Sequence, residues 1–354
     1  METKPSLDYL RSVTDELVLR ALMGAPRLTR AEVATAAGIS KPTASESVRR
    51  LLAAGLVHDT GERTTGRGRV GTYYGLAPDA GCALVLDIAP LGIVAELVDA
   101  RGTTLARSVR AVDRPAVPAE VAAALRSAAT EAVDAARGPV RAGVASAADP
   151  VDRRSGRLRE LPDTPFLVGD LDPAAVLDGL VEGPVVVDND VNWAACAERD
   201  AARGDASRPP ADFAYLYLGE GLGCAVVADG DVRRGHAGLA GEIAHVLTVG
   251  PSGRATLFTE VFAELGLHRA GSRAIDADAV ARTADKASGL RALAAAIAGV
   301  VAAVVAMADP EVVVVGGTWG ADPRVLRAAA DAVERSPRPV PLRAAQVSDA
   351  PLRG

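Results

Sequence analysis

Cysteine is scarce in this chain: Cys82, Cys196 and Cys224 are all there are in 354 residues. They stand far apart, with no CxxC and no Cys/His pattern. That excludes a disulfide-stapled scaffold or a zinc ribbon and reads as reduced, buried thiols of a cytoplasmic protein. Aromatic residues make up 3% of the chain, so the core has to be built from Ala, Val and Leu. The opening METKPSLDYLRSVTDELVLRALMG lacks the apolar h-region of a signal peptide. The 17 uncharged residues of 292–308, mostly Ala, Gly and Val, end in Asp309-Pro310; they are short for a membrane span and read as a buried helix. A large positive charge is lacking too. The net charge of −6 excludes a protein coated in nucleic acid.

The charge is uneven, however. Residues 1–80 hold eleven Lys/Arg against nine Asp/Glu, whereas 81–354 hold 28 against 36. A mildly basic head on an acidic body fits a regulator that touches DNA with one end. Within the head, 28–56 reads as two short helices joined by a tight turn. Thr29 and Glu32 form a Thr-x-x-Glu capping box, Val33, Ala36 and Ala37 supply a small apolar face, and Gly38 stops the helix. Ser40 caps the second helix, with Pro42 in its first turn. There Ala44, Val48, Leu51 and Leu52 share one face, and Pro42, Thr43, Glu46, Arg49 and Arg50 the opposite one, with Ser45 at its flank and Lys41 at its start. Such a helix suits the major groove of DNA. Residues 58–76 follow as a hairpin wing with turn signals at Asp59-Thr60-Gly61 and Thr65-Gly66 and with Arg63, Arg67 and Arg69 between strands. Ser40, Lys41, Thr43, Ser45 and Arg49 are the expected contacts to bases and nearby phosphates. Arg67 and Arg69 are expected on phosphates or in the minor groove.

Ahead of this pair, residues 10–23 form an amphipathic helix packing through Val13, Leu17, Val18, Ala21 and Leu22. After a junction at 77–81, three apolar runs (82–90, 91–100 and 103–112) make a β-meander turning at Asp99-Ala100-Arg101-Gly102. Helices are expected over 119–137, 191–203, 255–267, 276–284, 288–308 and 323–335. Strands are expected over 141–146, 183–188, 214–218, 225–228 and 311–315. A meander followed by alternating strands and helices argues a mixed α/β body, 79–354, behind a head of 1–78.

Three segments of that body resemble the ROK family, which joins repressors, open reading frames of unknown role and sugar kinases. Gly235-His236-Ala237-Gly238-Leu239-Ala240-Gly241-Glu242-Ile243-Ala244-His245 looks like its sugar-pocket signature. Asp188-Asn189-Asp190-Val191-Asn192 looks like its Asn-Asp-x-Asn element, and 309–317 like its nucleotide-lobe strand and turn. A winged helix-turn-helix ahead of these is the arrangement of the family's regulators. The resemblance implies a two-lobed, actin-like and ribonuclease-H-like body, with the lobes meeting near 188–192 and a C-terminal helix returning to the first lobe. Asn189, Asp190, Glu242 and His245 would bind sugar hydroxyls, which donate once and accept twice. Glu260 would stand where a further sugar-contacting Glu follows. Taken singly, Asp190 also reads as a helix cap and His245 as a core histidine.

The chain departs from the family's kinases at both phosphate loops. Asp-x-Gly-Gly-Thr is replaced by Asp87-Ile88-Ala89-Pro90-Leu91, in which proline has no N–H to donate. Gly-Thr-Gly-x-Gly is replaced by Gly219-Glu220-Gly221-Leu222-Gly223, where the carboxylate disfavours phosphate by roughly one to four kcal/mol. The zinc cluster's cysteines are missing after His245, which predicts a less ordered loop there. Phosphoryl transfer, zinc and any cofactor are therefore not expected, although Asp190 matches the family's catalytic base. The expectation is a cytoplasmic regulator, not an enzyme and not a membrane protein: a repressor with a double-stranded DNA operator and a sugar or sugar derivative as effector, acting as a homodimer or homotetramer. Two rivals stand: an ATP-dependent sugar kinase with an extra domain, and a regulator with a vestigial pocket that answers to a partner protein.

Overall fold

The computed structural model describes residues 7–65, 70–90, 92–113, 117–161, 169–202, 211–347 and 350–352. The head consists of α1 (Leu7–Met23), β1 (Leu28–Thr29), α2 (Arg30–Ala36), α3 (Lys41–Ala53), β2 (Val57–Arg63) and β3 (Thr72–Leu76). The capping box at Thr29 and Glu32 forms, and Ser40 accepts the Thr43 N–H at the start of α3. Val18, Leu22, Val33, Ala34, Ala44, Val48 and Leu51 make the core of the head. Leu17 of α1 and Ala36 of α2 are exposed instead, and α2 buries Ala34 in place of Ala36. β1 pairs with β3, so the two-residue strand before α2 completes a three-stranded sheet that the two-stranded wing reading lacks. Asp59-Thr60-Gly61 is no turn. It is an irregularity inside β2, where Asp59 accepts the Gly61 N–H and Gly61 takes a φ of +79°.

In the body, β4 (Cys82–Ala89), β5 (Gly92–Asp99) and β6 (Thr104–Arg110) form the meander, followed by α4 (Pro118–Val133), β7 (Val140–Ala147), α5 (Pro173–Val176) and β8 (Val185–Asn189). The strand order is β6-β5-β4-β7-β8, antiparallel among the first three and parallel from β4 onward. Asp99 closes the β5–β6 turn by accepting the N–H groups of Arg101 and Thr103. α6 (Asp190–Ala202) then leads to the second sheet: β9 (Phe213–Leu218), β10 (Leu222–Ala228), β11 (Asp231–Val232) and, after an excursion, β14 (Val312–Gly316) and β15 (Leu342–Ala344). Its order, β11-β10-β9-β14-β15, repeats the first sheet's plan of an antiparallel meander extended by two parallel strands. The two halves thus share one architecture, the actin-like, ribonuclease-H-like pair of lobes.

The excursion holds β12 (Leu247–Val249), β13 (Ala255–Leu257), α7 (Phe258–Glu264), α8 (Ala277–Ala284) and α9 (Ala287–Ala308), and α10 (Pro323–Glu334) precedes β15. The helix expected over 255–267 begins only at Phe258. Ala255–Leu257 pairs with Leu247–Val249 instead, so a hairpin holds the loop expected to be less ordered. α9 is the one helix among the described residues long and apolar enough to cross a membrane. Its Leu293, Ile297, Val300, Val301 and Val305 pack into the second lobe's core. α10 packs on α9 rather than returning to the first lobe; the segment that reaches β4 and α6 is the 3-10 turn Ala350–Leu352.

Candidate functional site

A cavity of about 550 Å³ opens where β8 hands over to α6, and residues from both lobes line it. Asp188 is buried and organises that junction. One carboxylate oxygen accepts from Asn189 N (2.8 Å) and Asn192 Nδ2 (2.8 Å), and the other accepts from Arg234 Nε (2.6 Å). Asn189 ties β8 to the end of β7 through Nδ2 to Ala147 O (3.3 Å) and Asp149 O (3.4 Å), while its Oδ1 accepts the Val191 N–H. Asn189 thus holds the cap position of α6, while Asp190, the first residue of the helix, also accepts the Val191 N–H at 2.7 Å and lines the cavity. Burial, then the like charge of Asp87, push its pKa up to about 8; Glu242 and Asp149 add to the rise, and the Val191 N–H opposes it. Burial pushes Glu242 up to about 7.

The signature loop carries Glu242 and His245 to the same cavity. Gly238 and Gly241 permit this approach. With φ of +83° and +97°, a Cβ would lie 2.0 Å from Val151 O and 1.7 Å from Cys224 O. Asn189, Asp190, Glu242 and His245 therefore meet around one space. Glu260 does not join them. It lies 3.8 Å from Arg273, and Arg273 is the member of that pair that lines the cavity.

Sequence reasoning missed Tyr215 and Tyr217. On β9 they share the face turned to α6 with Phe213, as the alternation in Phe213-Ala214-Tyr215-Leu216-Tyr217-Leu218 could have shown. Both line the cavity, and burial raises both phenols, helped by the charge of Asp190. A Cβ on Gly219 would meet Tyr217 Oη at 2.6 Å, so the phenol lies on the first glycine of the Gly219–Gly223 turn. Within the turn, Gly219 N–H is engaged by Gly221 O (3.0 Å), and the buried Trp319 donates Nε1–H to Gly219 O (2.7 Å). Glu220 is ion-paired with Arg269, which lessens the repulsion expected from its carboxylate. Pro90 lines the same cavity, and Leu91 lies outside the described residues. Pro90 and Tyr217 set this end of the cavity apart from an open glycine loop. Among the described residues no three His, Cys, Asp or Glu side chains group to hold a metal.

On the head, Lys41 and Arg49 are exposed on α3, and Thr43 and Ser45 are half-buried. Ser40 and Thr43 share a hydroxyl–hydroxyl hydrogen bond of 2.7 Å, and Arg49 pairs with Glu46 at 2.5 Å. Arg50 is not on the open face. It reaches back to Asp15 of α1 at 2.6 Å, which also accepts from the buried Ser47. Arg63 folds onto Asp59 (2.9 Å), and Arg67 and Arg69 lie outside the described residues.

A winged helix-turn-helix followed by two actin-like lobes with a cleft between them defines a class in which a DNA-binding type of head is joined to a sugar-kinase type of body. The chain belongs to the ROK family: the family's profile matches residues 84–352, and a MarR family profile matches residues 15–68. A crystal structure described as a ROK family transcriptional regulator, homologue of the E. coli MLC protein, superposes with a TM-score of 0.72 over 98% of this chain and 94% of that one. At 17% identity this likeness speaks for the fold. The ROK hexokinase of Thermus thermophilus is 26% identical, with a TM-score of 0.57 over 77% of this chain and 95% of its own. Among characterised sequences, the bifunctional enzyme NanE/NanK of Brucella suis is 34% identical over 39% of this chain and 27% of its own length. The glucokinase of Streptomyces coelicolor is 31% identical over 48% and 50%. These matches thus span about a quarter to a half of the relatives.

Proposed function

We propose that the chain is a sequence-specific DNA-binding transcriptional regulator of the cytoplasm, a repressor of sugar-related genes. Its effector is a sugar or sugar derivative, bound in a cleft that no longer transfers phosphate. The head reads an operator through Ser40, Lys41, Thr43, Ser45 and Arg49, assisted by Arg67 and Arg69. A homodimer or homotetramer sets two heads on palindromic half-sites one or more helical turns apart. Asn189, Asp190, Glu242 and His245 hold the effector, and binding shifts lobe closure and hence the spacing of the heads. The observation that carries the reading is Tyr217, whose phenol lies against Gly219 at the start of the turn that a phosphate would need, in a chain whose head carries a capped second helix. Lys41→Ala combined with Arg49→Ala tests the head: operator affinity falls and the salt dependence flattens by about two released counterions. Unchanged binding would remove α3 from that role.

One observation favours a kinase. Asp190 keeps the position of the family's base, and the relatives named above include glucokinases. Sugar-dependent ATP hydrolysis above background, abolished in Asp190→Asn, would establish it. A panel of sugars that fails to raise the melting temperature would favour the vestigial pocket with a protein signal.

A further inference from the structure

Arg27 and Arg30 are exposed at the two ends of β1, Arg30 as the first residue of α2. Each guanidinium lies on an aromatic ring of β3. Arg27 Cζ is 4.9 Å from the centre of the Tyr73 ring, and Arg30 Cζ is 5.1 Å from that of Tyr74. Stacking of this kind fixes the plane of a guanidinium and leaves its N–H edge to donate. Consecutive strand residues point to opposite faces, so the two arginines bracket β1 from both sides of the sheet. Arg27 also pairs with Glu62 of β2 at 2.7 Å; both side chains are about half exposed, and pairs of that kind hold weakly.

The pairing of the strands places these arginines beside the wing. β3 begins at Thr72, and β1 runs antiparallel to it, with Leu28 opposite Tyr74 and Thr29 opposite Tyr73. β1 therefore runs toward the wing, and α2 starts at its foot. Thr64 and Gly71, which stand on either side of the segment containing Arg67 and Arg69, are joined there: Thr64 N–H donates to Gly71 O (2.9 Å) and Gly71 N–H to Thr64 Oγ1 (2.8 Å). A Cβ on Gly71 would lie 3.6 Å from Thr29 Cγ2, the neighbour of Arg30. In helix-turn-helix heads the first helix of the pair crosses the DNA backbone. The main-chain donors at this helix start are taken, Thr29 N–H by Glu32 and Glu32 N–H by Thr29 Oγ1, so side chains have to supply the contact. A guanidinium held flat on a ring suits it, because its planar fork matches two phosphate oxygens.

We propose that Arg27 and Arg30 grip the phosphate backbone of the bound DNA at the foot of the wing, as a contact separate from α3, with Tyr73 and Tyr74 as positioning residues for the two guanidiniums. This rests on the reading of the chain as a DNA-binding regulator and adds to it a contact that holds the duplex without reading its sequence.

Titration of the full chain over a range of KCl concentrations tests this on two duplexes, a fragment of the source genome selected on the full chain and a scrambled duplex of the same length and composition. Arg27→Ala with Arg30→Ala is expected to lower the slope of log affinity against log salt by about two. Both duplexes are expected to weaken by the same factor, so that the preference between them holds. Arg27→Lys with Arg30→Lys keeps the charge and restores the slope. Tyr73→Leu weakens both duplexes, whereas Tyr73→Phe, which keeps the ring, does not. A parental slope in the double-alanine variant, or an equal loss from Arg20→Ala on α1, overturns the proposal and leaves the DNA-binding reading standing. Lysines that behave like the alanines, or a loss confined to the selected fragment, overturn it as well. Parental affinity in Tyr73→Leu overturns the positioning role of the ring. A full chain that binds neither duplex overturns the DNA-binding reading together with the proposal.

Discussion

Asp190 carries a carboxyl whose pKa rises from 3.8 to about 8 inside the cleft. Below pH 4 the folded and unfolded chains both hold that proton. Between about 4 and 8 the folded chain keeps it while the unfolded chain releases it, so stability declines as pH rises through this window. Asp190→Asn removes the dependence. Urea unfolding should show the variant more stable than the parent by roughly 1–3 kcal/mol at pH 8 and nearly equal at pH 4; a constant difference across that range would show that the carboxyl is not enclosed. Much of the site was legible at this scale. Asn189, Asp190, Glu242 and His245 come from two short segments that the family resemblance singles out, and one cavity collects them. Tyr217 was not, because an aromatic residue in an apolar strand reads as core until the partner of that strand face is known. Arg50 misled for a related reason: helical spacing places it beside Arg49, yet Asp15, 35 residues away in α1, draws it inward.

The signature loop and α3 test the reading of elements. Gly241 has a φ of +97° and abuts Cys224 O, so Gly241→Ala should destabilise the chain by roughly 3 kcal/mol or more. A loss below 1 kcal/mol would mean that the loop can leave β10. Ser40→Ala removes the hydroxyl that accepts the Thr43 N–H and should destabilise by about 1 kcal/mol while also weakening operator binding; a thermal melt and a DNA titration of one sample separate the two effects. Elements with strong local signals were readable, including the capping box of α2, the DxxG turn of the meander and the long apolar α9. Short strands were not. β1, β12 and β13 span only two or three residues and exist because partners complete them, the distant Tyr73-Tyr74 for β1 and each other for the hairpin. The apolar residues of 255–267 fit a helix locally, and only the pairing of Leu257 with Leu247 shows where the helix must start.

At the scale of the molecule, head and cleft are joined through the first sheet. β5 runs from the end of β4, beside the cavity, to the Asp99–Gly102 turn. There Arg101 donates to Pro26 O of the head at 2.7 Å and Ala100 packs against the head's core. If the proposed effector shifts this sheet, these contacts are where the head would receive the movement. Arg101→Ala should leave operator and effector binding each within a few-fold of the parent and reduce the linkage between them, measured as the change in operator affinity on saturating with effector. Linkage equal to the parent's would place the route elsewhere. The repeated plan of the two sheets was only hinted at in the sequence, since the lobes share topology and not a residue period.

The central claim is that the head reads DNA on behalf of a body that has given up phosphate transfer. It is tested most directly by selecting fragments of the source genome on the full chain beside its Lys41→Ala, Arg49→Ala variant. The account predicts enrichment of a few sites with inverted half-sites, lost in the variant. Fragments recovered without sequence preference, or recovered equally by both proteins, would contradict it.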